Sequence, residues 1–186
     1  KLCNHYYRGK LNPDDVYDNW DLFDKKLSVA KLLKEAIETK KIAASIKNLL
    51  PTHPVYLSLK EALVEIDKLP VSKFDSIDKN IKIKFNDNSD VIKKIKQRLV
   101  YWKDLNQQDT IYTSKYDSKM LEAVKKFQAR HGLFADGVIG VGTIKALNYN
   151  KETRKGQILA NLERWRWFSR DLGNQYILLN LPNYEL

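Results

Sequence analysis

Apolar residues recur every three or four positions through most of the chain, and the breaks between these runs mark its elements. Met120, Val124, Phe127 and His131 share one face of a helix that the spacing predicts to open at Asp117 or Ser118. Gly132 follows where a left-handed C-terminal residue belongs, since a residue without Cβ reaches positive φ cheaply. Asp136-Gly137 and Gly140 then allow a tight reversal, and Thr143 is placed to start a short helix carrying Ile144 and Leu147. Two such helices bury too little surface to stand alone. A partner precedes them, with Ser89 as N-cap and Val91 or Ile92, Ile95, Leu99 and Trp102 at helical spacing.

Upstream, Tyr6 to Pro13 reads as a turn-rich start, and Trp20 and Phe23 are large aromatics in a polar frame that need a core. Leu27, Leu32 or Leu33, Ala36 and Ile37 form one helical stripe. Ile42, Ile46 and Leu49 or Leu50 form a second, ended by Pro51. Thr52 is placed to cap a third helix, with Pro54 in its first turn and Tyr56, Leu59, Leu63 and Ile66 along one face. Between Pro70 and Asn88 the period changes to two, Ile81, Ile83 and Phe85 alternating with Lys82 and Lys84 as in a short half-buried strand. Lys103 to Lys115 is a polar loop, long for a helix connection. Ile158, Leu162 and Trp165 predict a helix over Lys151 to Phe168, and Gln175 to Leu186 is apolar on both faces, like a covered strand. The pattern therefore predicts a mainly α chain: residues 1–70 a helical scaffold, 71–88 a connector, 89–150 a three-helix module, 151–171 a helix returning to the scaffold, and 172–186 a short terminal strand.

Charge adds little selectivity. The net charge is +10 over 186 residues, which attracts polyanions of any kind. The excess is +3 for residues 1–87, +5 for 88–150 and +2 for 151–186, so it is spread out. A nucleic-acid surface more often concentrates its cations in a stripe, and Lys93-Lys94-Lys96 and Lys125-Lys126 read as solvated helix faces. No run of about 18 apolar residues exists to span a membrane, and the first ten residues lack a signal-peptide apolar region, which predicts a mature or trimmed chain. The single Cys3 has no neighbouring base, and His5, His53 and His131 lie far apart. No metal site, cofactor or nucleophile is expected.

The series I-x-x-I-x-x-R-L at Ile92 to Leu99, preceded by Val91, A-V-K-K-F-Q at Ala123 to Gln128, G-L at Gly132-Leu133, D-G-V-I-G at Asp136 to Gly140 and T-x-x-x-L at Thr143 to Leu147 resembles the peptidoglycan-binding domain found beside many bacterial cell-wall enzymes. Y-x-x-G-K-L-x-P at Tyr6 to Pro13, Asn19-Trp20, L-L-P-x-H-P-x-Y-x-x-L at Leu49 to Leu59 and N-L-E-R-W-R-W at Asn161 to Trp167 are similar to the N-terminal region of YcbB-type L,D-transpeptidases. In that family Y-I-L-x-N-x-P-x-Y-x-L opens the catalytic YkuD domain, a β domain, with H-G and S-H-G-C-x-R motifs later in it; S-H-G-C-x-R does not occur in this sequence, and its H-G, His131-Gly132, precedes that opening stretch and belongs to the binding-module series. The resemblance implies a non-catalytic scaffold and binding portion of a periplasmic or cell-envelope enzyme. Its implied partners are peptidoglycan glycan or stem peptide and the protein's own C-terminal catalytic domain.

Most residues of the series would cap helices, permit turns or fill a core, so they identify a fold better than a ligand contact. The ligand candidates are the polar groups of the turn region, Arg130, Asp136 and Thr143, with Tyr112 or Tyr116 available to stack. Arg130→Ala is then expected to weaken wall binding without lowering stability. Two other classes remain: a basic nucleic-acid-binding protein with residues 118–148 as its helix–turn–helix, which is the less favoured, and a purely structural interaction module.

Overall fold

The computed structural model describes residues 1–18, 26–71, 73–106 and 112–168. Asn19, Trp20, Phe23, the loop residues Gln107, Gln108 and Asp109, and the expected strand Gln175 to Leu186 lie outside the described residues. The chain is mainly α, and it divides into two units, Lys1–Asp67 with Lys155–Leu186, and Lys68–Arg154.

The first unit contains α1 (Leu2–Arg8), a 3-10 turn at Pro13–Asp15, α2 (Val29–Glu38), α3 (Ile42–Lys47), most of α4 (Pro54–Lys68) and most of α8 (Lys151–Trp167). The turn-rich start expected from Tyr6 is instead the last part of α1, and the chain turns only at Gly9, with φ +90°. The cap of α4 also differs. His53 Nδ1, rather than Thr52, accepts from Val55 N at 3.2 Å, because Pro54 takes the first helical position.

Within this unit the burial is shallow. Ala36, Leu49, Tyr56, Leu162 and Trp167 are buried, while Leu33 and Ile37 of the predicted α2 stripe remain exposed. The C-terminal part of α8 meets α1 through polar groups. Glu163 Oε1 accepts from Lys10 N and, at 2.8 Å, from Leu11 N. The Trp165 ring stacks on His53 at 4.3 Å, and Lys155 pairs with Asp67 at 2.6 Å.

The second unit is built on α5 (Val91–Tyr101), α6 (Ser118–Arg130) and α7 (Val141–Leu147). Ile92, Ile95 and Leu99 of α5, Met120, Val124 and Phe127 of α6, and Ile144 and Leu147 of α7 close one core. The 71–88 segment contributes Ile77 and Ile83 to the same core. The predicted alternation over 81–85 yields one antiparallel bridge, Ile83 with Ile139, rather than a strand: Ile83 is buried but Phe85 is 45% exposed. Asp90, not Ser89, occupies the N-cap of α5, and Ser89 uses its backbone N–H on the Ser114 carbonyl at 2.9 Å.

Two helix ends follow the sequence closely. Asp117 Oδ1 accepts from Met120 N at 2.9 Å and caps α6. At the other end Gly132 has φ +65°, its N–H meets the Ala129 carbonyl, and Leu133 N meets the Gln128 carbonyl at 2.9 Å. These are the paired bonds of a Schellman stop, which satisfy carbonyls that the helix leaves open.

Candidate functional site

The turn between α6 and α7 hangs on one side chain. Gln128 is 1% exposed, and its Nε2 donates to the Val138 carbonyl at 2.9 Å, Thr143 Oγ1 at 3.2 Å and Asp136 Oδ1 at 3.3 Å. Its Oε1 accepts from Gly137 N at 2.9 Å. A helix-bound amide thus substitutes for the regular hydrogen-bond ladder that a buried turn lacks. Glycine is strongly favoured at 137: φ is +80°, where an L side chain is strained, and a Cβ would stand 2.3 Å from Leu121 Cδ1 and force that methyl aside. The F-Q, D-G and T positions of the sequence series are therefore parts of one hydrogen-bonded node.

That node corrects two of the ligand candidates. Thr143 sits inside α7, behind the N-cap Gly140; it is 5% exposed and its hydroxyl is held by Gln128, so it neither starts the helix nor faces solvent. Tyr116 is fully buried, and its hydroxyl donates to the Gly137 carbonyl at 2.6 Å. Burial, with Asp136, Asp117 and Glu122 adding negative field, pushes its phenol pKa well above the ordinary 10. A ring so placed has no open face to stack on.

The other three retain solvent exposure. Asp136 is exposed, with Oδ1 accepting from Val138 N at 2.8 Å in an Asx turn. Tyr112 is 38% exposed. The Arg130 side chain is 45% exposed, and its guanidinium is paired with the buried Asp104 carboxylate. The pair gives Arg130 a structural contact beside any ligand role, so its substitution is expected to touch both. Phe134, in the turn, is 85% exposed; hydrophobic periodicity does not mark it, because a single residue between two helices has no stripe to belong to.

Lysines are also not all solvated. Lys96 is 2% exposed and donates to Asp117 Oδ2 at 2.5 Å and Thr113 Oγ1 at 3.1 Å, so one member of the Lys93-Lys94-Lys96 group is a core residue. Burial alone would raise the Asp117 carboxyl, but the bonds from Lys96 and Met120 and the ammonium charge outweigh it and leave the pKa below the usual range. His131 closes the C-terminus of α6, its Nδ1 2.7 Å from the Phe127 carbonyl. Burial, reinforced by the Arg154 and Arg130 charges, lowers its pKa to about 4, so the imidazole is neutral at pH 7.

The second unit is thus a hydrogen-bonded helix–turn–helix buttressed by α5, with a polar and aromatic turn surface. Residues 88–147 match the family described as "Putative peptidoglycan binding domain". Residues 1–63 match the family described as scaffold domain. No curated protein matches the chain. The two families together are consistent with the N-terminal region of an L,D-transpeptidase, and no catalytic domain is among them. A peptidoglycan-binding scaffold role and a cell-wall association follow at that level. No helix among the described residues is long and apolar enough to cross a membrane.

Proposed function

We propose that this chain is the scaffold and peptidoglycan-binding portion of a YcbB-type L,D-transpeptidase that works in the periplasm. The observation that carries the reading is the peptidoglycan-binding match over residues 88–147, whose motif residues form the Gln128 node. The scaffold match at residues 1–63 in the same chain supports the transpeptidase context. So does the meeting of two stretches that resemble that family, Gly9-Lys10-Leu11 and Glu163.

In this reading the module holds the wall while a YkuD catalytic domain of the longer protein performs the chemistry. Its cysteine attacks the peptide carbonyl of a tetrapeptide stem, D-alanine leaves, and an amine of a second stem takes the acyl group to form a 3→3 crosslink. Residues 1–70 serve as scaffold, 151–171 return to it, and 172–186 begin the catalytic domain. Tyr112, Arg130 and Asp136 are the ligand candidates that remain exposed, and Phe134 is a further exposed ring in the turn between α6 and α7.

The test is co-sedimentation of the whole chain with purified sacculi at low and at roughly physiological salt, alongside a duplex DNA shift. Retention on sacculi at the higher salt with little DNA binding is the expected result. Loss from sacculi would leave a structural module. Tight binding to DNA that collapses with salt, as phosphate contacts require, would favour a nucleic-acid role instead.

A further inference from the structure

A cleft of about 120 Å³ opens against α5, lined by Lys73, Phe74, Asp75, Lys94, Gln97 and Arg98. Its inner wall is Arg98, 2% exposed, whose guanidinium donates to the Leu147 carbonyl at 3.3 Å, to Asn148 Oδ1 and to the Asp75 carbonyl. These acceptors are neutral. They fix the group without cancelling its charge, and the Asp75 carboxylate acts on it through space. Burial pushes the Arg98 pKa below its ordinary value, as expected of a cation held at low dielectric.

The guanidinium lies 5.5 Å from the centre of the Phe74 ring, which is itself 38% exposed and braced edge-on by Tyr101 at 5.2 Å. Lys94 and Gln97 stand one helical turn apart on α5, and Lys94 Nζ keeps only a loose 3.9 Å approach to Asp75. The lining therefore combines three cations with one carboxylate, an amide and an aromatic face. The cleft is half open to solvent, and its grouped cations beside one aromatic face suit a carboxylate next to a small apolar group.

We propose that this cleft binds the alanine carboxylate terminus of a peptidoglycan stem peptide, with Lys73, Lys94 and Gln97 taking the carboxylate and Phe74 the methyl group. The proposal rests on the peptidoglycan reading above and assigns the stem peptide, rather than the glycan, to this face of the module. A phosphate-tracking surface would need cations in a continuous stripe, whereas these are gathered around one aromatic face.

The probe is a synthetic stem tetrapeptide ending in D-alanine, titrated into the whole chain and followed by side-chain NMR, with its C-terminal amide and inorganic phosphate as controls. The expected result is perturbation of Phe74 and Gln97 by the acid form, with binding weakened about tenfold in Lys73→Gln/Lys94→Gln at an unchanged melting temperature. The amide should bind as weakly as the variant does. Equal affinity of the variant, equal affinity of the amide, or phosphate competing as well as the tetrapeptide would overturn the proposal. If the wild-type chain still sediments with sacculi in those cases, the peptidoglycan reading survives without this subsite. If it does not, both fall.

Discussion

Arg130 closes a two-point ion pair on Asp104, with Nε 3.2 Å from Oδ1 and Nη2 2.5 Å from Oδ2; the Arg130 side chain is 45% exposed and that of Asp104 only 2%. The arginine is the last residue of α6, and the aspartate lies shortly after α5, at the start of the polar loop. One pair thus ties the loop to the helix that carries the turn node.

Removing Arg130 leaves a buried carboxylate without its main donor. Because half of the arginine is solvated and water can partly replace it, Arg130→Ala is expected to cost about 1–3 kcal/mol. Urea unfolding measures this directly, and Arg130→Ala/Asp104→Asn should recover part of the loss because the charge is gone. A single variant that unfolds at the wild-type midpoint would show that the pair contributes nothing to stability.

Gly9 is the point where α1 gives way to the Glu163 contact. At φ +90°, a Cβ there would lie 2.5 Å from Glu163 Oε1 and 2.8 Å from Trp167 Nε1. Gly9→Ala should therefore destabilise the first unit by about 1–3 kcal/mol, from backbone strain and displacement of the carboxylate that receives Lys10 N and Leu11 N. Thermal melts of Gly9→Ala, Glu163→Ala and the double variant test the link: the double should lose less than the sum of the singles. Strict additivity would mean the two positions act independently.

His131 makes stability fall with acid. Its folded pKa of about 4 lies below the ordinary 6.5, so the unfolded chain binds the proton first as pH drops. The contribution of the neutral imidazole is complete above about pH 6.5, is lost as pH falls towards 4, and is level below that. Urea midpoints between pH 7 and pH 4 should decline less steeply in His131→Gln than in wild type, once each is normalised to its value at pH 7. Parallel profiles would place the titration elsewhere.

The helices were legible because a period of 3.6 with caps is local information. The stripe Met120, Val124, Phe127, the helix start at Asp117 or Ser118 and the Gly132 stop all depend on residues a few positions apart, and the structure has all three. The candidate site was not legible to the same degree. Thr143 and Tyr116 looked available because hydroxyl groups usually face water, yet each hydroxyl is taken inside by the turn node or by the Gly137 carbonyl.

The sequence by itself determined the mainly α character, the α6 boundaries and the kind of domain that residues 88–147 form. Only the tertiary structure decided which polar groups are buried. Lys96 finds Asp117 21 positions away, Arg130 finds Asp104 26 away and Arg98 finds Asn148 50 away. A charge enters a core only where a partner offsets its desolvation, and a partner so distant along the chain becomes a neighbour only after the helices have packed.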